Sequence, residues 1–100
     1  MTITIKKTDV VLSTDLENKI HEQIEGLSKY YDNIILAAVE VGRESRHHQK
    51  GEIFRAEVNL EVPGKLLRAE AETDELAKSV REMYEKIKHE LIKYKERQQA

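Results

Sequence analysis

Between residues 78 and 97 the chain carries seven Lys and Arg against four Glu, a local net of +3 in a protein whose formal net charge is −2. At 100° per residue, Lys86, Lys93 and Arg97 fall on one flank of an apolar stripe and Arg81, Lys88 and Lys95 on the other. Long cationic stems on both shoulders of a helix suit a phosphate backbone, because each ammonium or guanidinium reaches one phosphate, releases counterions and reads no base. The same stretch also holds ordinary helix pairs: Glu82 with Lys86, Glu85 with His89, and Glu90 with Lys93. Charge alone therefore leaves nucleic-acid binding and a merely solvated helix both open. The segment 43–50 adds Arg43, Arg46 and Lys50 against Glu44.

Other chemistry is poorly provided for. His47 and His48 are adjacent, so on an extended segment they point apart, and no third ligand is spaced to join them; metal binding is not expected. Glu57 with Glu61, and Glu70 with Glu72, stand among polar neighbours on what reads as an open sheet face, where nothing would desolvate a carboxylate and raise its pKa. The chain has no phosphate-cradling glycine loop and no nucleophile beside a base. It also has no Cys, which rules out disulfides and thiolate zinc sites. These features predict a binding protein rather than an enzyme, with no cofactor and no small-molecule substrate.

Positioning those charges takes one compact unit, and 100 residues are about the length of a single domain. Hydrophobic residues make up 39% of the chain and charged residues 36%, with only five aromatics, so the core is expected to be thin and aliphatic. Ile3 and Ile5 alternate with Thr2, Thr4 and Lys6 in a first strand. Ser13 or Thr14 can cap a helix, with Thr14 and Glu17 spaced as a capping box. Leu16, Ile20, Ile24, Leu27 and Tyr31 then draw a helical stripe over roughly 14–30. Ile35, Ala37, Val39 and Val41 share one face of a second strand, and 42–51, bracketed by glycines, reads as an exposed connection. Residues 54–62 and 67–71 alternate about the Pro63-Gly64 turn as a hairpin. Thr73 or Asp74 caps a second helix carrying Leu76, Val80, Met83, Ile87, Leu91 and Tyr94, ending near residue 97.

The order β-α-β-β-β-α predicts an α+β two-layer sandwich spanning residues 1–100, a four-stranded sheet with both helices on one face and the other face solvated. Nothing near Met1 reads as a secretory leader, and no apolar run approaches the roughly 18 residues a membrane span needs. A soluble, cytoplasmic protein with no membrane partner is expected.

Leu27-Ser-Lys-Tyr-Tyr-Asp-Asn-Ile34 resembles the segment that closes the first helix in ribosome hibernation-promoting factors, the ribosome-associated inhibitor or sigma-54 modulation family. Ala69-Glu-Ala-Glu-Thr-Asp-Glu-Leu76 and Glu85-Lys-Ile-Lys-His-Glu-Leu-Ile-Lys-Tyr-Lys95 resemble its last strand and basic second helix. With Ile3-Thr-Ile5 and Val11-Leu-Ser13, the resemblance spans nearly the whole chain. It implies the same β-α-β-β-β-α fold, binding in the decoding channel of the small ribosomal subunit, and silencing of translation under stress or in stationary phase.

By position, Lys86 matches a basic residue of the family, His89 stands where arginine is usual, Lys93 and Lys95 match its Lys-x-Lys, and Lys29 matches a frequent lysine of the first helix. With Arg81, Lys88 and Arg97 from the shoulder pattern, these are the candidate rRNA contacts. The first helix departs from the family: Gln23 and Gly26 stand where lysine is common, and Glu17, Glu22 and Glu25 make it acidic, which implies a weaker or altered contact. Ending at Ala100, the chain reads as a short form without the dimerisation domain of long members. The implied partners are the small subunit and whole ribosome through rRNA, with a second hibernation factor wherever ribosomes are paired. A protein-interaction regulator and a free-standing RNA-binding domain are the competing readings.

Overall fold

A computed structural model describes residues 1–44 and 51–99. Strand β1 (Thr2–Thr8) leads to helix α1 (Thr14–Glu25) and a 3-10 turn (Gly26–Lys29). Strands β2 (Leu36–Glu44), β3 (Ile53–Val62) and β4 (Lys65–Thr73) follow, then helix α2 (Leu76–Gln99). The strands lie in chain order, β1 parallel to β2 and the other pairs antiparallel. In register, Ile5, Val39, Val58 and Ala69 cross the sheet as one row, and Ile3, Ala37, Leu60 and Leu67 as the next. Those rows face the helices, which supply Ile20, Ile24, Leu27, Val80, Met83, Ile87, Leu91 and Tyr94 to a single buried cluster. The expected α+β sandwich, with both helices against one sheet face, is the observed fold.

Local chemistry explains most boundaries. Ser13 is the cap of α1, its hydroxyl accepting from the Leu16 N–H at 3.1 Å, so the Thr14/Glu17 capping box is not the device used. The α-helix stops at Glu25 rather than near residue 30, where Gly26 weakens helical propensity and a 3-10 turn carries Leu27 into the core. Gly64, at φ 77°, supplies the positive φ that the turn after Pro63 requires.

Three expectations are corrected. Ile35 is 49% exposed while Ile34 is buried, because β2 begins only at Leu36 and strand alternation does not extend back into the irregular 31–35 segment. Gly42, Arg43 and Glu44 belong to β2, paired with Arg55, Phe54 and Ile53, so the connection is shorter than the glycines suggested. A Cβ on Gly42 would lie 3.0 Å from the Thr8 carbonyl oxygen, and here glycine allows close strand approach instead of marking a loop. Arg46, His47, His48 and Lys50, within residues 45–50 of that connection, lie outside the described residues.

The third correction concerns the open sheet face. Glu57 is only 8% exposed and sits opposite Glu70, a like-charge pair that alone would be unfavourable. Arg55 and Arg68 reach diagonally across it: Arg55 lies 2.8 Å from Glu57 and 2.5 Å from Glu70, and Arg68 bonds Glu57 as well and lies 3.4 Å from Glu70. The face is an ion-pair lattice rather than a set of independent solvated charges.

Ser79 is fully buried on α2, its Oγ 2.8 Å from the Phe54 carbonyl oxygen and 2.7 Å from Thr73 Oγ1. Thr73 Oγ1 also accepts from the Glu75 N–H, and the Ser79 N–H donates to the Glu75 carbonyl, so a small polar knot fastens the first turn of α2 to the ends of β3 and β4. Ser79→Ala removes the buried hydroxyl that bonds the Phe54 carbonyl and Thr73 Oγ1 and is expected to cost about 1–3 kcal/mol by chemical denaturation, with the helical signal retained. The arginine lattice has a pH signature. The hydrogen bond from Arg55, and then its charge, hold the Glu70 carboxyl below the usual carboxylate range. A lowered folded-state pKa contributes stability above the unfolded value, near 4.3, and that contribution disappears as pH falls through the folded value. Thermal melts taken down the acid limb should therefore fall less steeply for Glu70→Gln than for the parent chain.

Candidate nucleic-acid interface

Helix α2 lies over β3 and β4, and the small side chains Ala56, Ala69 and Ala71 form part of the buried floor there. Seating the Val80, Met83, Ile87, Leu91 and Tyr94 stripe on that floor turns both basic shoulders outward. The two shoulders meet different surroundings.

The Arg81, Lys88 and Lys95 shoulder borders α1 and its 3-10 turn. Lys88 Nζ stands 5.7 Å from the centre of the Tyr30 ring and 6.0 Å from that of Tyr84. Lys29 Nζ is 5.3 Å from the same Tyr30 ring. Lys95 and Lys29 line one shallow depression with Ser28, Tyr30, Tyr31 and Asp32. Lys29, Lys88 and Lys95, from two elements far apart in sequence, thus gather at the seam between the helices. Burial raises the Tyr84 pKa, partly opposed by Lys88, so its phenol is neutral beside the ammonium.

The opposite shoulder is less free. Lys86 donates from Nζ to the Glu70 carbonyl oxygen at 2.9 Å, covering an edge carbonyl of β4. Lys93 is 3.8 Å from Glu90, and on the first shoulder Lys88 is 3.8 Å from Glu85. Such i,i+3 pairs are worth only about 0.2–0.5 kcal/mol, too little to withhold a lysine from a phosphate. Among the described residues Lys29, Arg81, Lys95 and Arg97 have no carboxylate within 4.0 Å, and all four are exposed. His89 is exposed too, on the side of α2 away from the core.

Sequence reasoning missed Tyr30 and Tyr84. The Lys29-Tyr30 neighbourship and the i,i+4 spacing of Tyr84 and Lys88 are visible in the chain, but the approach of Lys88 to Tyr30 depends on how the helices pack. Among the described residues no three His, Asp or Glu converge as a metal site would need, and no helix is long and apolar enough to cross a membrane.

No curated protein matches the chain. Among solved structures it is similar to the N-terminal domain of Protein Y from Thermus thermophilus, with a TM-score of 0.77 and 18% identity over 94% of this chain and 99% of that one. It is also similar to a ribosomal subunit interface protein from Coxiella burnetii, with a TM-score of 0.80 and 22% identity over 95% and 98% of the two chains. At such identities the likeness establishes the fold. The family model described as Sigma 54 modulation protein / S30EA ribosomal protein matches residues 3–99. That match spans both helices and all four strands, and the chain belongs to the Sigma 54 modulation protein / S30EA ribosomal protein family, the hibernation-promoting factors its sequence resembles.

Proposed function

We propose that this chain is a cytoplasmic ribosome-binding hibernation factor, a single binding domain over residues 1–100 that occupies the decoding channel of the small subunit and silences translation under stress or in stationary phase. The observation that carries the reading is the gathering of Lys29, Lys88 and Lys95 at one seam, in a chain of a ribosomal family. The rRNA-contacting set is Lys29, Arg81, Lys86, Lys88, His89, Lys93, Lys95 and Arg97, with the Arg81/Lys88/Lys95 shoulder and Lys29 at its centre. Lys86 holds the Glu70 carbonyl and joins the contact only at the cost of that bond. A second hibernation factor is the further partner wherever ribosomes are paired.

The mechanism is steric and electrostatic. Cationic stems settle the helical face on rRNA phosphates, and the body of the domain then stands where messenger and transfer RNA would lie. The open sheet face, with Glu40, Glu57, Glu61 and Glu70 against Lys6, Arg55 and Arg68, is unsuited to a polyanion and points away from it.

Co-sedimentation with small subunits should weaken as salt rises, each phosphate contact adding about 0.7–0.9 to the logarithmic slope. Arg81→Glu with Lys95→Glu should reduce that slope by about 1.5 and the affinity from several-fold to about a hundredfold. Inhibition of translation in vitro should fall in parallel. Each exposed substitution should alter stability by no more than about 0.5 kcal/mol, and Glu61→Lys on the open face should leave binding intact. Binding indifferent to salt, or unchanged in the double reversal while circular dichroism reports an intact fold, contradicts the reading.

A further inference from the structure

Tyr30 stands out among the aromatics at the seam. It is half-buried, with part of its ring packed against the core, and its ring has two ammoniums within 6 Å, Lys29 at 5.3 Å and Lys88 at 5.7 Å. Its hydroxyl makes no hydrogen bond among the described residues. Tyr94, by contrast, is fixed by Pro63 and Gln98 and meets Tyr31 edge-on, as a structural aromatic does. The depression beside Tyr30 holds two ammoniums, Lys29 and Lys95, against one carboxylate, Asp32.

We propose that Tyr30 is a stacking platform for one unpaired base of the bound RNA, whose adjoining phosphates are held by Lys29 and Lys95. This rests on the RNA-binding reading above and narrows it, from phosphates in general to a splayed single-stranded nucleotide. A base-paired helix offers phosphates to the lysines but keeps its bases stacked away from the ring. An ammonium on an exposed ring contributes about two- to fivefold in affinity, whereas a stacked base contributes from about fivefold to over a hundredfold. A base therefore displaces the lysines from Tyr30, and the phosphates it brings give those same lysines a better partner. Stacking releases no counterions, so Tyr30 should affect affinity without affecting its salt dependence.

The chain contains no Trp, so Tyr30→Trp places a single tryptophan, excited selectively over the remaining tyrosines, on the platform while keeping an aromatic face. Titrated with a single-stranded oligoadenylate, its emission should be quenched, and an RNA duplex of equal length should quench it far less. In ribosome co-sedimentation Tyr30→Phe and Tyr30→Trp should bind within about twofold of the parent, while Tyr30→Leu should lose at least about fivefold with an unchanged salt slope. Circular dichroism and thermal melts of Tyr30→Leu establish that its core is intact, and Phe and Trp carry the test should it not be. Equal quenching by duplex and single strand, or unimpaired ribosome binding by a folded Tyr30→Leu, overturns the proposal. If that result comes with weakened binding by the Arg81/Lys95 reversal, only the stacking role fails; if the parent chain does not bind ribosomes, the reading beneath it fails.

Discussion

The structure depends on one packing constraint, the seating of the α2 stripe on a floor that includes Ala56, Ala69 and Ala71. Met83, Ile87 and Leu91 are at most 1% exposed, and burying each such side chain contributes about 1.5–3 kcal/mol, more than any surface charge pair in the molecule. Alanines let the helix approach the sheet closely, and a close approach fixes its rotation. Once rotation is fixed, Arg81, Lys88 and Lys95 must face the α1 side, and Lys86 must meet the edge of β4. The basic surface follows from the apolar one.

The two faces of the sheet divide the remaining work. On the inner face, rows of aliphatic side chains continue across all four strands, and the parallel β1–β2 pair requires the crossover connection that α1 supplies on that face. On the outer face the direct opposition of Glu57 and Glu70 requires compensation, which Arg55 and Arg68 supply from neighbouring register positions. Those arginines are consequently tied to carboxylates, and among the described residues Lys29, Arg81, Lys95 and Arg97, which have no carboxylate within 4.0 Å, lie on the helical side. Charge segregation of this kind gives a protein of slightly negative total charge a cationic helical side, since a net value hides how the charge is distributed.

Much of this was legible in the chain because periodicity reports burial. The stripe from Leu76 to Tyr94 and the alternation from Phe54 to Val62 fixed two elements and their inward faces without reference to any contact. What could not be read depends on tertiary geometry. Lys29 and Lys95 are 66 positions apart, and nothing in either neighbourhood announces that they share a depression. Lys86 looks as free as Lys93 until the β4 edge is placed beside it. Ser79 is a polar residue within a helical surface pattern, yet the closeness of Phe54 and Thr73 makes it a buried anchor. Gly42 misled because glycine marks both turns and close strand contacts, and only the position of Thr8 distinguishes them.

Orientation on the ribosome is the most direct test of the central claim that the helical seam faces rRNA. The chain has no cysteine, so a single one can be placed at Ala77, exposed on the Arg81 shoulder, or at Thr4, exposed on the open sheet face, and loaded with a tethered iron chelate. Hydroxyl radicals generated in the ribosome complex should cut small-subunit rRNA strongly from position 77 and weakly from position 4. Stronger cutting from position 4, or none from position 77 in a complex that still forms, would contradict the account.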